Sequence, residues 1–572
     1  MRVPSWSDII HGVRNNINTN LNALIAKYVP SFSKDIHVHK RVRPDTSSLP
    51  LHAKDVFGSV VLAQLHALSS VSASVVAELK HQLGWLYDDS RYRDVPLRSA
   101  AELPRAKLSA AQVQTMHRKG LIRVIDRAHV RGAVNMFVVA ELSKNRVRPI
   151  RHTADANDVF PRKDPLHPVT MATKPVIVSL VHGGTHMASH DLAGWFDQLS
   201  YSDDVGSRFC FEFEGVTYAL TCLAMGQRQS VGVASAVTRR LLDFKHRSAR
   251  CEIVIDNIIF VGSKEDVIAD SREFRRRCAE AGAILNDLEI PVEELAVQRG
   301  DWCGISLDFV NKTVALQDKA IGKTLLAWSL RDQWTWRQFH ACVGSLFWSI
   351  GIIEVPVYTK FCLLRFISRV SADLAVREDL WDARANIWPS ALADMQSWVE
   401  LIQRNQPRVV PKDDPPEWIL HTDASRYGWG YVAICVATNS FRSHGQPWSQ
   451  HMLDKYGEQL GHSTFAEPHA VRSALCHLFA PNGGIQRIMV CTDNSATFYS
   501  FDRGYSSQCL HINQCIGRLR ECFPGVVIDM RFVPGVLNWA DAPSRGRSLS
   551  PEEEIKAAEA LLREMGERRL PQ

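Results

Sequence analysis

The chain has 572 residues, 45% of them hydrophobic and 22% charged, with a formal net charge of +6. These proportions are ordinary for folded globular proteins, the length implies about two to four domains, and no run of about 18 apolar residues is present to serve as a membrane helix. The 13 cysteines form no CxxC pair and no zinc spacing, which sets aside a disulfide or zinc-finger scaffold and points to a reducing, intracellular compartment, nucleus or cytoplasm.

Residues 1–117 read as a mostly helical N-terminal extension without legible chemistry. In 5–28 an amphipathic stretch carries Ile9, Ile10, Val13, Ile17, Leu21, Leu24 and Ile25. It could be an organelle presequence, but Asp8 and the lack of an arginine-rich face favour a plain helix. Helical periodicity recurs in 56–85. From 118 to 310, strand-like runs (133–139, 209–218, 252–261) alternate with helical ones (231–244, 270–281), which predicts a mixed α/β domain. Here Asp191 opens DLAGWFDQL, and Asp256 sits in EIVIDNIIFVG, where two apolar arms flank a polar centre as in a hairpin displaying the acid at its tip. Between them, Gly226 and a set of small residues precede a helix and would allow a flat ligand close approach. His182, His186 and His190 have the spacing of one helix face and could hold zinc there, but Gly183 and Gly184 argue against that helix.

Residues 311–405 read as helical and tryptophan-rich, with Trp328, Trp334, Trp336, Trp348, Trp381, Trp388 and Trp398 expected in packing. Within them, 343–357 predicts a core helix. Residues 406–416, with Pro407, Pro411, Pro415 and Pro416, predict a linker. Residues 417–548 predict a further α/β domain, and 549–572 a C-terminal helix opened by Ser550 and Pro551.

That last α/β domain holds four carboxylates in four settings. Asp423 stands in HTDASRYGWGYV, Glu467 in FAEPHAVRSAL, Asp493 in VCTDNSATF and Asp541 in FVPGVLNWADAPSR. The segments read as strand, helix, strand end and pre-helix loop. A cluster of buried acids is tolerated only where cations offset the repulsion. Two Mg²⁺ ions, or Mn²⁺, would do so and would activate water for in-line phosphodiester cleavage. The competing reading is four unrelated surface acids. His477 and His511 could assist product release, against ordinary packing for either.

The four settings resemble the RNase H family, particularly the retroelement form. Upstream, Asp191 and Asp256 resemble the metal-binding aspartates of reverse transcriptases. The resemblance spans roughly 118–546 and implies an α/β multidomain, right-hand polymerase fold: fingers and palm at 118–310, a helical thumb or connection at 311–405, and an RNase H-like domain at 417–548. It implies two metal ions per active site, held by Asp191 and Asp256 in one and by Asp423, Glu467, Asp493 and Asp541 in the other. It further implies that Phe196 excludes ribonucleotides, that Gly226 and Arg148 seat the dNTP, and that Arg275, Arg276 and Arg277 meet phosphate. For these, core packing (Phe196) and solvated surface charge (the arginines) are the plain alternatives. Segment 301–309 resembles the primer-gripping hairpin. The implied partners are an RNA template, a DNA primer, the RNA–DNA hybrid and dNTPs, with no membrane. The VPGxxNxADxxSR ending looks most like tyrosine-recombinase retrotransposons of the DIRS type, including VIPER elements, with gypsy-type elements and plant pararetroviruses as near alternatives. Two departures stand out: Asn257 replaces the second aspartate of the family hairpin, and the region after Asn286 lacks a lysine often found there. They open the alternatives of a polymerase-impaired relic, a co-opted hybrid nuclease, or a structural ribonucleoprotein component.

Overall fold

The structure is a computed structural model that describes residues 46, 48–141, 145–161, 166–479 and 485–565, so the 5–28 stretch and the end of the C-terminal segment lie outside the described residues. The chain divides into two compact units, 46–319 with 407–410, and 320–406 with 411–565.

The first unit is built on strands β1 (His186–Asp191), β2 (Arg250–Val254) and β3 (Asn257–Gly262), all antiparallel in the order β1–β3–β2. Ala188, Ile258 and Phe260 turn one sheet face onto helices α1 (Ala73–Tyr87), α2 (Ser230–Leu241) and α3 (Lys264–Ala281). Helix α3 begins where Ser263 accepts a hydrogen bond from the Asp266 amide and ends at Gly282, whose φ of +75° makes the left-handed cap. Leu79, Leu83 and Leu86 of α1 belong to the same core as Val233, Val237 and Phe274. The described part of 1–117 is therefore an integral layer of this unit, not an appended extension. The small residues expected to admit a flat ligand serve helix packing instead. Ser230, Gly232, Ala234, Ser235 and Ala236 are buried, and a Cβ at Gly232 would stand 2.8 Å from Gln82 Oε1 of α1.

One further expectation is met here and another is corrected. The histidine series is not one helix: Leu180–His182 is a 3-10 turn and His186 already begins β1. The expected linker contributes an edge strand, since Arg408 and Val409 pair with Val314 and Thr313. Pro407 and Pro411 bracket this two-residue strand, because proline cannot extend a ladder.

In the second unit, helices Trp336–Ser349, Phe361–Val376 and Pro389–Arg404 bury Trp336 against Phe339 and Phe366, and Trp398 against Phe347. The predicted helix at 343–357 stops at Ser349, because Gly351 takes a φ of +79° and the flanking isoleucines favour extended backbone. Strands β4 (Trp418–Ala424), β5 (Gly428–Cys435), β6 (Phe441–Pro447), β7 (Arg487–Thr492) and β8 (Val527–Phe532) form one sheet in the order β6–β5–β4–β7–β8. The β4–β5–β6 pairings are antiparallel, while β7 and β8 run parallel to β4. This order, with antiparallel and parallel halves meeting at the first strand, is the RNase H-like arrangement. Period-two alternation sends Leu420, Tyr431, Ile488 and Val490 to helices α4 (Ser463–Leu478) and α5 (Leu510–Cys522). It sends Ile419, Val432, Met489 and Cys491 to the opposite face, where Ala557 and Leu561 of α6 (Pro551–Arg563) cover them. The C-terminal helix thus completes this domain's second face instead of following it.

Candidate active sites

In the second unit, β4 and β7 run parallel, so their C-terminal ends bring Asp423 and the adjacent Asp493 to one edge of the sheet. Helix α4, packed over β4, supplies Glu467. Pro468 follows it inside the helix and has no amide hydrogen to donate to the Thr464 carbonyl. His511 Nε2 of α5 donates to that carbonyl at 3.0 Å. His511 therefore repairs the turn that carries Glu467.

One carboxylate oxygen from each of Asp423, Glu467 and Asp493 lies within 4.8 Å of the others. Asp423 is 6% exposed and Glu467 3%. The Ala424 amide donates to Glu467 Oε1 at 3.1 Å, while the buried Oε2 accepts no hydrogen bond. Burial, with added repulsion from Asp493 and Asp541, pushes the Asp423 carboxyl up to about 6, against the hydrogen bond from Ser544. Burial and the charges of Asp423 and Asp493 raise Glu467 well above the usual carboxylate range, and burial raises Asp493. Three inward carboxylates, all resisting ionisation, with one oxygen lacking a donor, fit a hard divalent cation.

Residues to which the sequence reading gave no role hold these acids in place. Gly430 and Gly445 face each other across β5 and β6. A Cβ on Gly445 would stand 1.9 Å from the Pro543 carbonyl oxygen, and one on Gly430 would stand 2.4 Å from the Ser544 amide nitrogen. The bare backbone seats the short helix Asp541–Ser544, and Ser544 Oγ then donates to Asp423 Oδ2 at 2.5 Å. Asn538 Nδ2 donates to the Thr422 carbonyl at 3.0 Å and Asp493 Oδ1 at 3.2 Å. Glycines in strand interiors are the signal that marks such close backbone approach. The fourth predicted acid is nearby but outside the triad: Asp541 is 52% exposed and its Oδ1 accepts from Arg545 Nη2 at 2.7 Å and Nε at 3.0 Å. His477 is taken up elsewhere, 3.1 Å from the Tyr431 hydroxyl and stacked on His444.

In the first unit, Asp191 ends β1 opposite Asn257, and Asp256 sits at the tip of the β2–β3 hairpin. Ile255 beside it has a φ of +57°, a strained conformation for a β-branched residue. Burial raises Asp256, with the Asp191 charge adding to the effect and Arg148 opposing it. Asn257 Nδ2 donates to Asp256 Oδ1 at 3.0 Å, so the asparagine steadies its neighbour where an aspartate would add charge. Asn286 holds Asp191 through its amide nitrogen, 2.8 Å from the Asp191 carbonyl, and through its side chain, which donates to the carboxylate. Lys54 donates in turn to Asn286 Oδ1. Burial raises Asp191, against Asn286 and Lys54. Neither Lys54 nor Asn286 was expected in this role, because residue 54 reaches the site only through the fold.

Arg148 lies on the strand Arg146–His152 and is ion-paired with Glu141 at 2.9 Å, within the field of Asp256. Phe196 sits half-buried on the turn Trp195–Gln198 against the core. Gly226 has a φ of +133°, and a Cβ there would stand 2.9 Å from the Arg151 carbonyl oxygen. The three adjacent arginines do not form a phosphate-binding row. Arg277 is fully buried against the Leu241 and Arg240 carbonyls, Arg275 pairs with Asp287, and Arg276 bridges Glu273 and Glu280. The expected hairpin at 301–309 is present, its turn made by Cys303 and Gly304, both at positive φ. Burial and the charges of Asp256 and Asp191 push the Cys303 thiol up to about 12, which marks this turn as a neighbour of the acid pair. Among the described residues, no histidine belongs to a group of metal-ligating side chains.

No family model matches the sequence, and no curated protein matches it. Among solved structures, the chain is similar to a foamy viral protease-reverse transcriptase in complex with double-stranded DNA, with TM-score 0.44, 13% identity, and coverage of 92% of this chain and 81% of that one. It is similar also to the foamy viral protease-reverse transcriptase in complex with an RNA/DNA hybrid, with TM-score 0.44, 12% identity, and coverage of 95% and 64%. A further foamy viral protease-reverse transcriptase structure with double-stranded DNA gives a TM-score of 0.42 at 12% identity, covering 83% of this chain and 96% of that one.

Proposed function

We propose that the chain is a retroelement-type RNA-directed DNA polymerase with ribonuclease H activity, of the tyrosine-recombinase retrotransposon kind. The observation that carries the nuclease half is the buried triad of Asp423, Glu467 and Asp493, in which one carboxylate oxygen has no donor. Mg²⁺ held there, with Asp541 at the rim, would supply an activated water and neutralise the departing oxygen of a phosphodiester. The chain's own contribution is positional. Ser544 fixes the Asp423 carboxylate, the Ala424 amide orients Glu467, and Asn538 ties Asp493 to β4 through the Thr422 carbonyl. In this reading residues 118–310 are fingers and palm, 311–405 the thumb or connection, and the substrate is an RNA–DNA hybrid recognised by backbone and shape.

The polymerase half rests on Asp191 and Asp256 meeting at one strand end, with Arg148, Phe196 and Gly226 as the dNTP-binding residues. One observation favours a second reading, a polymerase-impaired hybrid nuclease: Asn257 spends its amide on Asp256 and brings no charge of its own. The test offers the full chain and Mg²⁺ an end-labelled RNA, the same RNA in a hybrid, and a DNA primer on an RNA template with dNTPs. The leading reading expects cleavage in the hybrid alone and extension that disappears in Asp191→Ala. Cleavage without extension supports the second reading, and cleavage of neither RNA overturns both.

A further inference from the structure

The fourth acid of the nuclease site poses a question of charge. The triad is closed and buried, yet Asp541 stands half-exposed with its Oδ1 held by two nitrogens of Arg545. The backbone beneath that pair is pinned. Ser544 Oγ donates to Asp423, Ser425 Oγ donates to the Ser544 carbonyl at 2.7 Å, and the cross-strand glycines leave the turn one seat. With the backbone held, Asp541 can approach the triad only by turning its side chain. What opposes that movement is the guanidinium, which also lies in the field of Asp423 and Tyr427.

We propose that Arg545 is a displaceable counter-ion of this site: it neutralises Asp541 while that carboxylate stays outside the triad, and an incoming divalent cation must compete with the guanidinium for it. The inference rests on the nuclease reading above. Magnitude argues for displacement over permanent pairing, because Arg545 is 62% exposed and Asp541 52%. Exposed pairs of this kind shift equilibria by a small factor, about two- to fivefold. A cation that also gains the buried triad carboxylates outcompetes such a pair.

The test counts Mn²⁺ bound to the full chain by electron paramagnetic resonance, in the wild type, Arg545→Gln, Arg545→Lys and Glu467→Gln. The Mn²⁺ removed by Glu467→Gln identifies the nuclease class. That class is expected to tighten about two- to fivefold in Arg545→Gln and to stay near the wild-type affinity in Arg545→Lys, where the positive charge remains. Unchanged or weaker binding in Arg545→Gln overturns the proposal while leaving the nuclease reading intact. If Glu467→Gln removes no Mn²⁺, the nuclease reading fails and this inference fails with it.

Discussion

Replacing Asp423 by asparagine should make the metal-free protein more stable, and by an amount that depends on pH. The Asp423 carboxyl titrates near 3.8 when free and at about 6 in the folded chain. Below 3.8 it is protonated in both states and contributes nothing. Between the two values the folded state holds a proton that the unfolded state has released, so stability falls as pH rises, and the full penalty is present above 6. A gap of about two units corresponds to roughly 3 kcal/mol at pH 8 and roughly 1.5 kcal/mol at pH 5. Asparagine keeps an acceptor for Ser544 but loses a charge-assisted hydrogen bond, which returns about 1 kcal/mol. The expected net gain in EDTA is therefore about 2 kcal/mol at pH 8 and close to zero at pH 5. Urea denaturation followed by tryptophan fluorescence reads it, on the transition that Mg²⁺ moves in the wild type. Mg²⁺ should reverse the order at pH 8 by stabilising the wild type and not the variant. Destabilisation at pH 8 in EDTA, or an equal gain at both pH values, would refute the argument that burial and carboxylate repulsion strain this site.

Gly445→Ala should lower the stability of the same unit by about 1–3 kcal/mol, because its Cβ meets the Pro543 carbonyl. Hybrid cleavage should fall with it as Ser544 leaves Asp423, whereas Gly322→Ala, at an exposed helix position with open space around it, should leave cleavage unchanged. Asn257→Asp should raise primer extension by roughly tenfold or more at limiting Mg²⁺, since a second hairpin carboxylate adds charge where phosphoryl transfer needs cations. Equal rates in the two proteins would contradict that. Lys54→Ala should raise the Mg²⁺ concentration needed for half-maximal extension by several-fold, as Asn286 loses the partner that holds it toward Asp191. A lower kcat at unchanged Mg²⁺ dependence would point to another role.

Elements whose partners lie close along the chain are legible in the amino-acid sequence alone. The apolar arms around Asp256 close as a hairpin, and Ser550 with Glu553 forms a full capping box at the start of α6. What escapes depends on distant register. Arg408 and Val409 read as linker because their strand partners, Val314 and Thr313, lie across four intervening α-helices. Gly430 and Gly445 read as ordinary strand glycines until pairing sets them face to face under Pro543. The four acids of 417–548 stand out by their residue types and settings, but their division into a buried triad and an exposed fourth member does not. That division follows from Arg545 lying one helical turn after Asp541, close enough to claim its carboxylate. Lys54 escapes for the simplest reason: nothing in the local sequence around it marks an active-site residue.

The central claim is that the triad is a metal-dependent hydrolytic site for the RNA strand of a hybrid. The most direct measurement is RNA-strand cleavage in an RNA–DNA hybrid by the full chain across a Mg²⁺ titration, beside Glu467→Gln, with hybrid binding measured in the same samples. The account predicts Mg²⁺-dependent cleavage by the wild type, a loss of at least roughly a hundredfold in the variant, and unchanged hybrid affinity. Cleavage that survives Glu467→Gln, or a wild-type chain that binds the hybrid without cutting it at any Mg²⁺ concentration, would contradict it.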